Sequence, residues 1–364
     1  NEEVYIDKKS HNSSNIWSSF LGRARIGRNN NQVSVVGEEE NIFTPEEPLS
    51  NWISNGFLNY FSNCNVLYID KVEKGLILVY ERSSNESSGI TIESSNLYDC
   101  VFVCAGCINT TAIVDMSLAR ISNSWYKTSQ YFIHSCPIHL NAYLDISSFS
   151  NIFKKSNHNQ DLCDYFLEIY SQATGHYWSH TQIGTLNPVI INSVLRIFPQ
   201  LLHSLIRLFL RQLYFSISTF HSNLSTPSII SCSYDKQSQQ IPYQNIKIEE
   251  TVNSIRFHWK KIINDVIWSK RKSLKLLPIP LGEFVANILR GNKLGGWHYG
   301  GTLPMRDNPL NDHDCFPSGE LKGLPGVYIA DASTFPTIPG STVALLTMVN
   351  SHRISRQYTE KNLF

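Results

Sequence analysis

The sequence has 364 residues, of which 42% are hydrophobic and 12% aromatic, which is enough to bury a large core in two domains. Its 31 Lys and Arg residues nearly balance its 30 Asp and Glu residues, so the net charge of +1 argues against nucleic-acid binding, which needs a basic excess. Eight cysteines are scattered along this long chain, a pattern that argues against a disulfide framework and favours a reduced, cytoplasmic environment.

The beginning of the sequence is polar and carries no recognisable targeting signal. It opens on Asn1 without a charged segment followed by an apolar one, so we expect that the start was removed or that the sequence is a fragment. Residues 1–50 include a run of asparagines and a run of glutamates. We expect them to form an irregular N-terminal segment.

Strand patterns follow directly after this segment. Residues 66–72 and 76–80 are apolar runs separated by a short turn, and residues 90–92 extend the series, which predicts a small antiparallel meander. Residues 99–104 form a nearly continuous apolar run that stops at Ala105-Gly106. This is typical of a buried parallel strand that leads through a tight turn into a helix.

The middle of the chain has a mixed pattern with one distinctive segment, residues 189–215, which is rich in Leu, Ile and Phe. Arg207 and Arg211 are four residues apart and would share one face of a helix, while Pro199 interrupts it. The uncharged stretch is too short to span a bilayer, so we predict an amphipathic helix or a helix pair. Two interpretations remain open: a helix that faces the core, or one that contacts a membrane surface or lines an apolar substrate entrance.

The last part of the chain predicts a strand, a loop and a long helix. Residues 327–330 form the strand, residues 331–336 the loop, and residues 342–358 an apolar run without proline. This run ends in Arg353 and Arg356, cations that suit a helix C-terminus.

The first candidate site is a histidine followed by small residues, His298-Tyr-Gly300-Gly301-Thr302-Leu-Pro-Met305. The paired glycines would let a backbone approach a ligand closely, and a histidine titrates near neutral pH, which suits proton transfer. A packed histidine beside an ordinary turn is the alternative interpretation.

The second candidate site is Ala330-Asp331-Ala332-Ser-Thr-Phe-Pro-Thr-Ile-Pro339, placed between a strand and a helix. A helix N-terminus offers free N–H groups and a positive dipole, which favour an anionic or electron-rich group. The alternative is an ordinary strand–loop–helix connection with a Ser or Thr cap.

In this order and spacing, the two segments resemble the glucose–methanol–choline (GMC) family of flavin oxidoreductases. His298-x-x-Gly-Thr-x-x-Met305 is similar to the family's catalytic-histidine motif, and Ala330-Asp-Ala-Ser-x-x-Pro-x-Ile-Pro339 is similar to its C-terminal flavin-binding signature. Upstream, Val103-Cys-Ala-Gly106 resembles the family's strand that ends in Ala-Gly, and residues 65–72 resemble an earlier strand. The resemblance covers 291–358 well, 63–114 less well, and does not extend to the residues between.

The resemblance implies a mixed α/β (α+β) fold: a partial FAD-binding, Rossmann-like domain and a substrate domain with an antiparallel sheet flanked by helices. Residues 51–122 and 291–364 would form a discontinuous remnant of the FAD-binding domain, and residues 123–290 the substrate-binding domain. It also implies FAD as the cofactor, His298 and Thr342 as catalytic residues, and a set of cofactor-binding residues: Val72, Ala105, Gly106, Asp331, Ala332 and Val343.

Two departures from the family limit what the resemblance implies. The Gly-x-Gly-x-x-Gly turn with which the family seats the ADP pyrophosphate occurs nowhere in this sequence. The family's second catalytic residue, a His or Asn, corresponds here to Thr342. A hydroxyl is a poor base near neutral pH, so His298 would act as the base largely alone.

Two further motifs contain the residue types of thiol or metal sites, but their context argues against both roles. Cys104-Ala-Gly-Cys107 has the spacing of a redox or zinc pair, but no second pair lies nearby and close approach of a cofactor explains Ala-Gly. Asp312-His-Asp-Cys315 suggests metal ligands, but we expect a solvated loop. We therefore predict no metal site.

The sequence predicts an FAD-dependent enzyme that oxidises the CH–OH group of an alcohol or sugar and passes the electrons to an acceptor that the sequence does not identify. A truncated, non-catalytic remnant that binds no flavin is the alternative. A weak membrane-surface contact through residues 189–215 is a third hypothesis.

Overall fold

The structure is a computed structural model. It describes residues 5–6, 19–24, 28–29, 32–33, 46–83, 90–124, 127–145, 166–174, 177–185, 195–196, 198–210, 213–235, 243–249, 276–279, 296–341 and 343–362. The chain forms two compact units. Unit 1 comprises Asn1–Thr44, Pro137–Leu224 and Asn253–Gly295, and unit 2 comprises Pro45–Cys136, Ser225–Val252 and Gly296–Phe364.

The described strands, in chain order, are β1 (Tyr5–Ile6), β2 (Ser19–Ala24), β3 (Arg28–Asn29), β4 (Gln32–Val33), β5 (Cys64–Val72), β6 (Gly75–Ser83), β7 (Ile90–Ser94), β8 (Val101–Val103), β9 (Ser129–Asp145), β10 (Phe166–Thr174), β11 (Tyr177–Thr185), β12 (Leu213–Phe220), β13 (Ser228–Asp235), β14 (Tyr243–Glu249), β15 (Leu276–Ile279), β16 (Gly296–Gly300) and β17 (Val327–Ile329). The described α-helices are α1 (Glu46–Ser54), α2 (Cys107–Ile121), α3 (His203–Leu210) and α4 (Val343–Asn362). Short 3-10 turns occur at Gln200–Leu202, Ser222–Leu224 and Ala332–Thr334. The predicted mixed α/β class with antiparallel sheet is confirmed.

Unit 1 is built on an antiparallel sheet with the order β1-β2-β10-β11-β12-β9, and β15 also pairs with β9. In β12 the side chains of Ser216 and Ser218 are buried, and the Thr181 hydroxyl of β11 donates a hydrogen bond to Ser218 Oγ at 2.8 Å. Cross-strand hydroxyl pairs of this kind satisfy polar groups inside a sheet.

Two parts of unit 1 differ from the sequence-based expectations. Residues 213–215, the end of the predicted helical segment 189–215, begin β12, because β11 and β9 pair with this strand on its two sides. Ser19–Ala24, within the segment expected to be irregular, pairs with β10. Strand pairing depends on backbone hydrogen bonds to partners that are distant in sequence, so the local composition of these segments does not determine it.

Unit 2 contains the predicted meander, which is confirmed as the three-stranded antiparallel sheet β5-β6-β7. The predicted parallel strand is also confirmed, because β8 pairs in parallel with β17 and leads into α2. All three residues of β17 are buried. Phe102 in β8 is 37% exposed, where a fully buried strand was expected, and its ring stacks on Tyr328.

Within the described residues, β8 pairs with β17 alone, so one edge of this short parallel sheet has no strand beside it. Residues 51–122 and 296–364 lie together in unit 2, which also includes residues 225–252. The assignment of flavin-binding and substrate-binding roles to parts of the chain stays a prediction.

A buried carboxylate holds α2 against the strands of unit 2. Asp115 accepts a hydrogen bond from the Tyr131 hydroxyl at 2.6 Å and another from the Tyr234 hydroxyl. Burial, followed by the charge of Asp115, raises the pKa of both tyrosines, so both hydroxyls stay protonated and act as donors. This network joins α2 to β9 and β13, and it fixes the helix that begins at the candidate site.

Candidate functional site

The two predicted motifs lie side by side in unit 2. The segment after β16 runs along the turn after β17, and three backbone hydrogen bonds of 2.8–3.1 Å join them: Gly301 N–H to Ala332 O, Leu303 N–H to Ser333 O, and Met305 N–H to Thr334 O. These three hydrogen bonds hold the segment that follows His298 beside the Asp331 loop.

Asp331 connects this pair of segments to α2. Its carboxylate accepts hydrogen bonds from the backbone N–H of Gly106 at 3.0 Å, from the Thr110 hydroxyl at 2.5 Å, and from the N–H of Ser333 at 2.9 Å. The residue is only 7% exposed. Its carboxylate thus caps the turn that starts α2 and the 3-10 turn Ala332–Thr334 at once.

The turn between β8 and α2 is open to solvent. Ala105 and Gly106 are exposed, and Gly106 has φ = 81° and ψ = 154°, a conformation that is essentially restricted to glycine. A Cβ on Gly106 would meet no atom within 4 Å. The first turn of α2 contains no acidic residue. The turn is therefore open to close approach from solvent, while its own N–H groups, those of Ala105 and Gly106, already donate to Thr110 Oγ1 and to Asp331.

The glycines after His298 have a different role from the one expected. A Cβ on Gly300 would lie 2.4 Å from Ala332 O, and one on Gly301 would lie 2.6 Å from the His134 ring and 2.9 Å from Phe335 O. Gly301 also has φ = 80°. These glycines let the His298 segment pack against the chain's own backbone, which corrects the interpretation that they leave space for a ligand.

His298 lies in β16 and is half-buried. Burial lowers its pKa, so the imidazole is neutral at neutral pH and can accept a proton. His134 of β9, whose ring packs against Gly301, has its pKa lowered by burial as well. Sequence reasoning missed His134 because no local pattern links this strand position to a motif more than 150 residues downstream.

Thr302, in the histidine motif, contacts α2 directly. Its hydroxyl lies 2.7 Å from Thr111 Oγ1 and 3.4 Å from Cys107 Sγ, and all three residues are buried. Burial raises the pKa of Cys107 to about 11 and also raises that of Cys104, whereas a reactive thiol needs a lowered value. Both cysteines are free thiols.

The last helix is held against both motifs. The Ser351 hydroxyl donates to Ala330 O, and the Asn350 amide donates to Thr334 Oγ1 at 3.3 Å. Arg353 lies 3.4 Å from Met305 Sδ. Helix α4 thereby fixes the strand end and the loop that carry the candidate site.

Three of the predicted site residues remain: Val343, Val72 and Thr342. Val343 is buried at the start of α4 among Cys136, Phe335 and Ile338. Val72 is half-buried at the end of β5, and no described contact links it to the Ala105–Gly106 turn. Thr342 lies outside the described residues.

The Asp312–Cys315 segment was expected to be a solvated loop, but Asp314 and Cys315 are buried. Burial raises the pKa of Asp314, yet the N–H groups of Asn311 and Leu310 and the charge of Arg306 outweigh it, so the pKa is lowered. The ionised carboxylate therefore stabilises its own loop. Among the described residues, no three His, Cys, Asp or Glu side chains are arranged to hold a metal ion.

No protein-family model matches this sequence, and no curated protein matches it. Among solved structures, the chain is similar to pyridoxine 4-oxidase from Mesorbium loti, with a TM-score of 0.47 and 12% sequence identity. The match covers 82% of this chain and spans 57% of the length of that structure.

Proposed function

We propose that the chain is the catalytic part of an FAD-dependent oxidoreductase that acts on the CH–OH group of an alcohol or sugar, with His298 as the base. The observation that carries this proposal is the hydrogen-bonded assembly of three separate motifs. Gly301 binds Ala332, and Asp331 of the same loop binds Gly106. Segments that share no local sequence context converge at one place, as the resemblance to the GMC family implies.

The residues present fit one edge of a flavin nucleotide. The exposed Ala105–Gly106 turn would let the nucleotide approach this backbone closely, and the first turn of α2 would offer the N–H groups that follow Gly106. The N–H groups of Ala105 and Gly106 themselves already donate to Thr110 Oγ1 and to Asp331. Asp331 would act mainly by holding this turn in place, since its carboxylate is already engaged by three donors of the chain. The sequence supplies no Gly-x-Gly-x-x-Gly turn, so the grip on the pyrophosphate is not among these residues.

When bound, FAD supplies the hydride acceptor. The chain's own residues provide the rest of the chemistry. A ring nitrogen of His298 takes the proton of the substrate hydroxyl, which increases electron density on the carbon that loses hydride. The lowered pKa keeps this imidazole neutral and ready to accept a proton. Thr342, outside the described residues, would orient the hydroxyl by a hydrogen bond.

A non-catalytic remnant that binds no flavin is the second candidate. The observations that favour it are the unpaired edge of β8 within the described residues and four exposed apolar side chains on α4: Leu345, Leu346, Met348 and Val349. An apolar helix face of this kind is normally covered by another part of a protein.

One experiment separates the two candidates. The protein encoded by the full reading frame that contains this sequence is purified, and its flavin absorbance is followed anaerobically while a panel of sugar, aliphatic, aromatic and sterol alcohols is added. Bound flavin that loses its absorbance with an alcohol supports the oxidoreductase. A full-length protein that neither retains nor takes up FAD contradicts it and supports the remnant.

A further inference from the structure

Two histidines of unit 2 lie on neighbouring strands of one sheet. His134 belongs to β9 and His298 to β16, and these two strands pair with each other. Both side chains are half-buried. Successive side chains of a strand point to opposite faces of its sheet, so the contacts of the neighbouring residues show which face each histidine occupies.

One face of these strands packs into a hydrophobic core of unit 2. Tyr131 and Ile133 of β9 and Tyr299 of β16 all belong to this core. His134 directly follows Ile133 in β9. His298 directly precedes Tyr299 in β16. Both histidines therefore lie on the other face of the sheet.

The contacts of Ile338, in the segment before α4, identify that other face. Cys136, two positions after His134, packs in one hydrophobic cluster with Ile338. Gly300 lies two positions after His298, and a Cβ on it would be 2.4 Å from Ile338 Cδ1. Residues two apart in a strand share a face, so His134 and His298 are on the same side of the sheet, the side toward the segment before α4.

The ring of His134 also lies against the histidine motif itself. Its Cδ2 atom would be 2.6 Å from a Cβ on Gly301, three residues after His298. Its Nδ1 atom is enclosed and has no hydrogen-bond partner among the described residues. Burial lowers the pKa of both histidines, so both rings are neutral at neutral pH.

These contacts indicate which nitrogen of His134 carries the proton. A neutral imidazole has one N–H donor and one acceptor nitrogen. An enclosed Nδ1–H would need an acceptor that the described residues do not supply, so the proton belongs on Nε2. Nε2 is bonded to Cδ2, the atom that lies against Gly301. His134 thus carries a hydrogen-bond donor beside the segment that contains the proposed base.

We propose that His134 is a second catalytic residue, whose Nε2–H donates a hydrogen bond to the oxygen of the alcohol substrate; this inference rests on the proposed function. The O–H proton passes to a ring nitrogen of His298, and negative charge develops on the oxygen. A donor that is already in place stabilises this charge. The carbon gives up hydride to the FAD of the proposed function, and His134 keeps its own proton throughout.

Two other roles for His134 fit these observations less well. A histidine that serves only to pack would leave an unpartnered nitrogen inside the protein, which destabilises the folded state without any return. A metal site needs more ligands than two imidazoles, and among the described residues no three His, Cys, Asp or Glu side chains come together.

The test compares variants of the full-length, FAD-loaded protein in anaerobic single-turnover flavin reduction, with the alcohol of the panel that reduces the parent fastest. His134→Leu removes the donor and keeps the approximate volume of the side chain. His134→Gln keeps an N–H donor near the position of Nε2. The matched control is His313→Leu, since His313 is also half-buried in unit 2 but packs on Tyr131, which belongs to the opposite face.

We expect His134→Leu to reduce its flavin at least about 10²-fold more slowly than the parent, the loss typical of one donor to a developing oxyanion. His134→Gln should stay within about tenfold of the parent, and His313→Leu should not change the rate. The urea midpoint of His134→Leu should equal or exceed that of the parent, because an apolar group replaces an unpartnered nitrogen. A role in packing alone would give a lower midpoint and an unchanged rate.

The parent protein distinguishes failure of this inference from failure of the proposed function. If alcohols reduce the flavin of the parent, an unchanged rate in His134→Leu, or a loss that His134→Gln does not recover, would overturn the inference alone. If no alcohol reduces the flavin of the parent, both are overturned. Should His134→Leu fail to fold, His134→Asn replaces it, because its shorter amide lies near the position of Nδ1; equal rates for the Asn and Gln variants would then overturn the role of Nε2.

Discussion

The carboxylate of Asp331 accepts a hydrogen bond from the backbone N–H of Gly106 at 3.0 Å, between residues 225 positions apart. The same carboxylate also binds Thr110 and the N–H of Ser333. A single side chain thus determines how the start of α2 meets the loop after β17. Asp331 therefore holds the Ala105–Gly106 turn next to the Ala332–Thr334 turn, and the candidate cofactor site requires both.

Asp331→Asn should lower the free energy of unfolding by roughly 2 kcal/mol or more, because a buried charged acceptor with three donors is replaced by a neutral amide whose N–H₂ faces one of them. Urea denaturation measures the change. Asp99→Asn is the control, since Asp99 is exposed, and it should shift the midpoint little. Equal midpoints for the parent and Asp331→Asn would mean that the carboxylate does not hold the turns together.

Gly301→Ala should destabilise the protein more than Gly56→Ala. Both glycines have positive φ, 80° and 72°, so each alanine costs about 1–2 kcal/mol of backbone strain. Only at Gly301 would the new Cβ also overlap the His134 ring and Phe335 O, which adds roughly 1–3 kcal/mol. The comparison of the two unfolding free energies isolates the packing contribution. Equal losses would show that the glycine is needed for its conformation alone.

Acidification should destabilise the fold before any carboxylate titrates. Burial lowers the pKa of His134, His298 and His313 below the ordinary histidine value of about 6.5. The unfolded chain therefore binds protons that the folded chain does not, and stability is lost as the pH falls through about 6.5 toward the lowered values. Urea midpoints between about pH 7.5 and pH 5 measure this slope.

His298→Gln should reduce the slope of this pH dependence by up to one proton, because it removes one of the described histidines whose pKa is lowered in the folded chain. His352→Gln is the control, since His352 is exposed on α4. A midpoint that rises on acidification over this range would contradict the lowered pKa values.

Elements with a clear local pattern could be predicted from the sequence. The β5–β6 hairpin follows from apolar runs around a Gly turn, and α4 from a long apolar run that ends in arginines, although it extends beyond the predicted residue 358. The strand β12 could not be predicted as such, because its pairing partners β9 and β11 lie far away in sequence. Helix α3 was predicted, but which of its faces is exposed depends on tertiary packing.

The candidate site was predicted from its motifs, but its connections were not. The hydrogen bond from Gly106 to Asp331 and the contact of His134 with Gly301 depend on how distant segments meet in space. The same limit explains the error at Gly300 and Gly301, since a glycine pair in a sequence does not show whether a ligand or the chain's own backbone approaches it. The predicted roles of these residues stay predictions.

The role of His298 as the base can be tested through the protonation of its imidazole. His298 lies in β16, and Gly301, directly after this strand, donates a hydrogen bond to the Asp331 loop. The lowered pKa of His298 keeps it neutral to a lower pH than a free histidine. The rate of flavin reduction should therefore be constant near pH 7 and fall at a lower pH than the ordinary histidine pKa of about 6.5 would give.

Replacement of His298 by Ala should lower the rate of flavin reduction by at least about 10²-fold, the loss typical of a positioned general base. Thr342→Ala should cost less, because it removes an orienting hydroxyl and no proton acceptor, and Thr342→Asn should be tolerated. His352→Ala, on the exposed side of α4, is the matched histidine control and should leave the rate unchanged. The measurement is anaerobic single-turnover reduction of the full-length, FAD-loaded protein by a reactive alcohol. If His298→Ala reduced its flavin as fast as the parent while Thr342→Ala stalled, the two roles would be wrongly assigned.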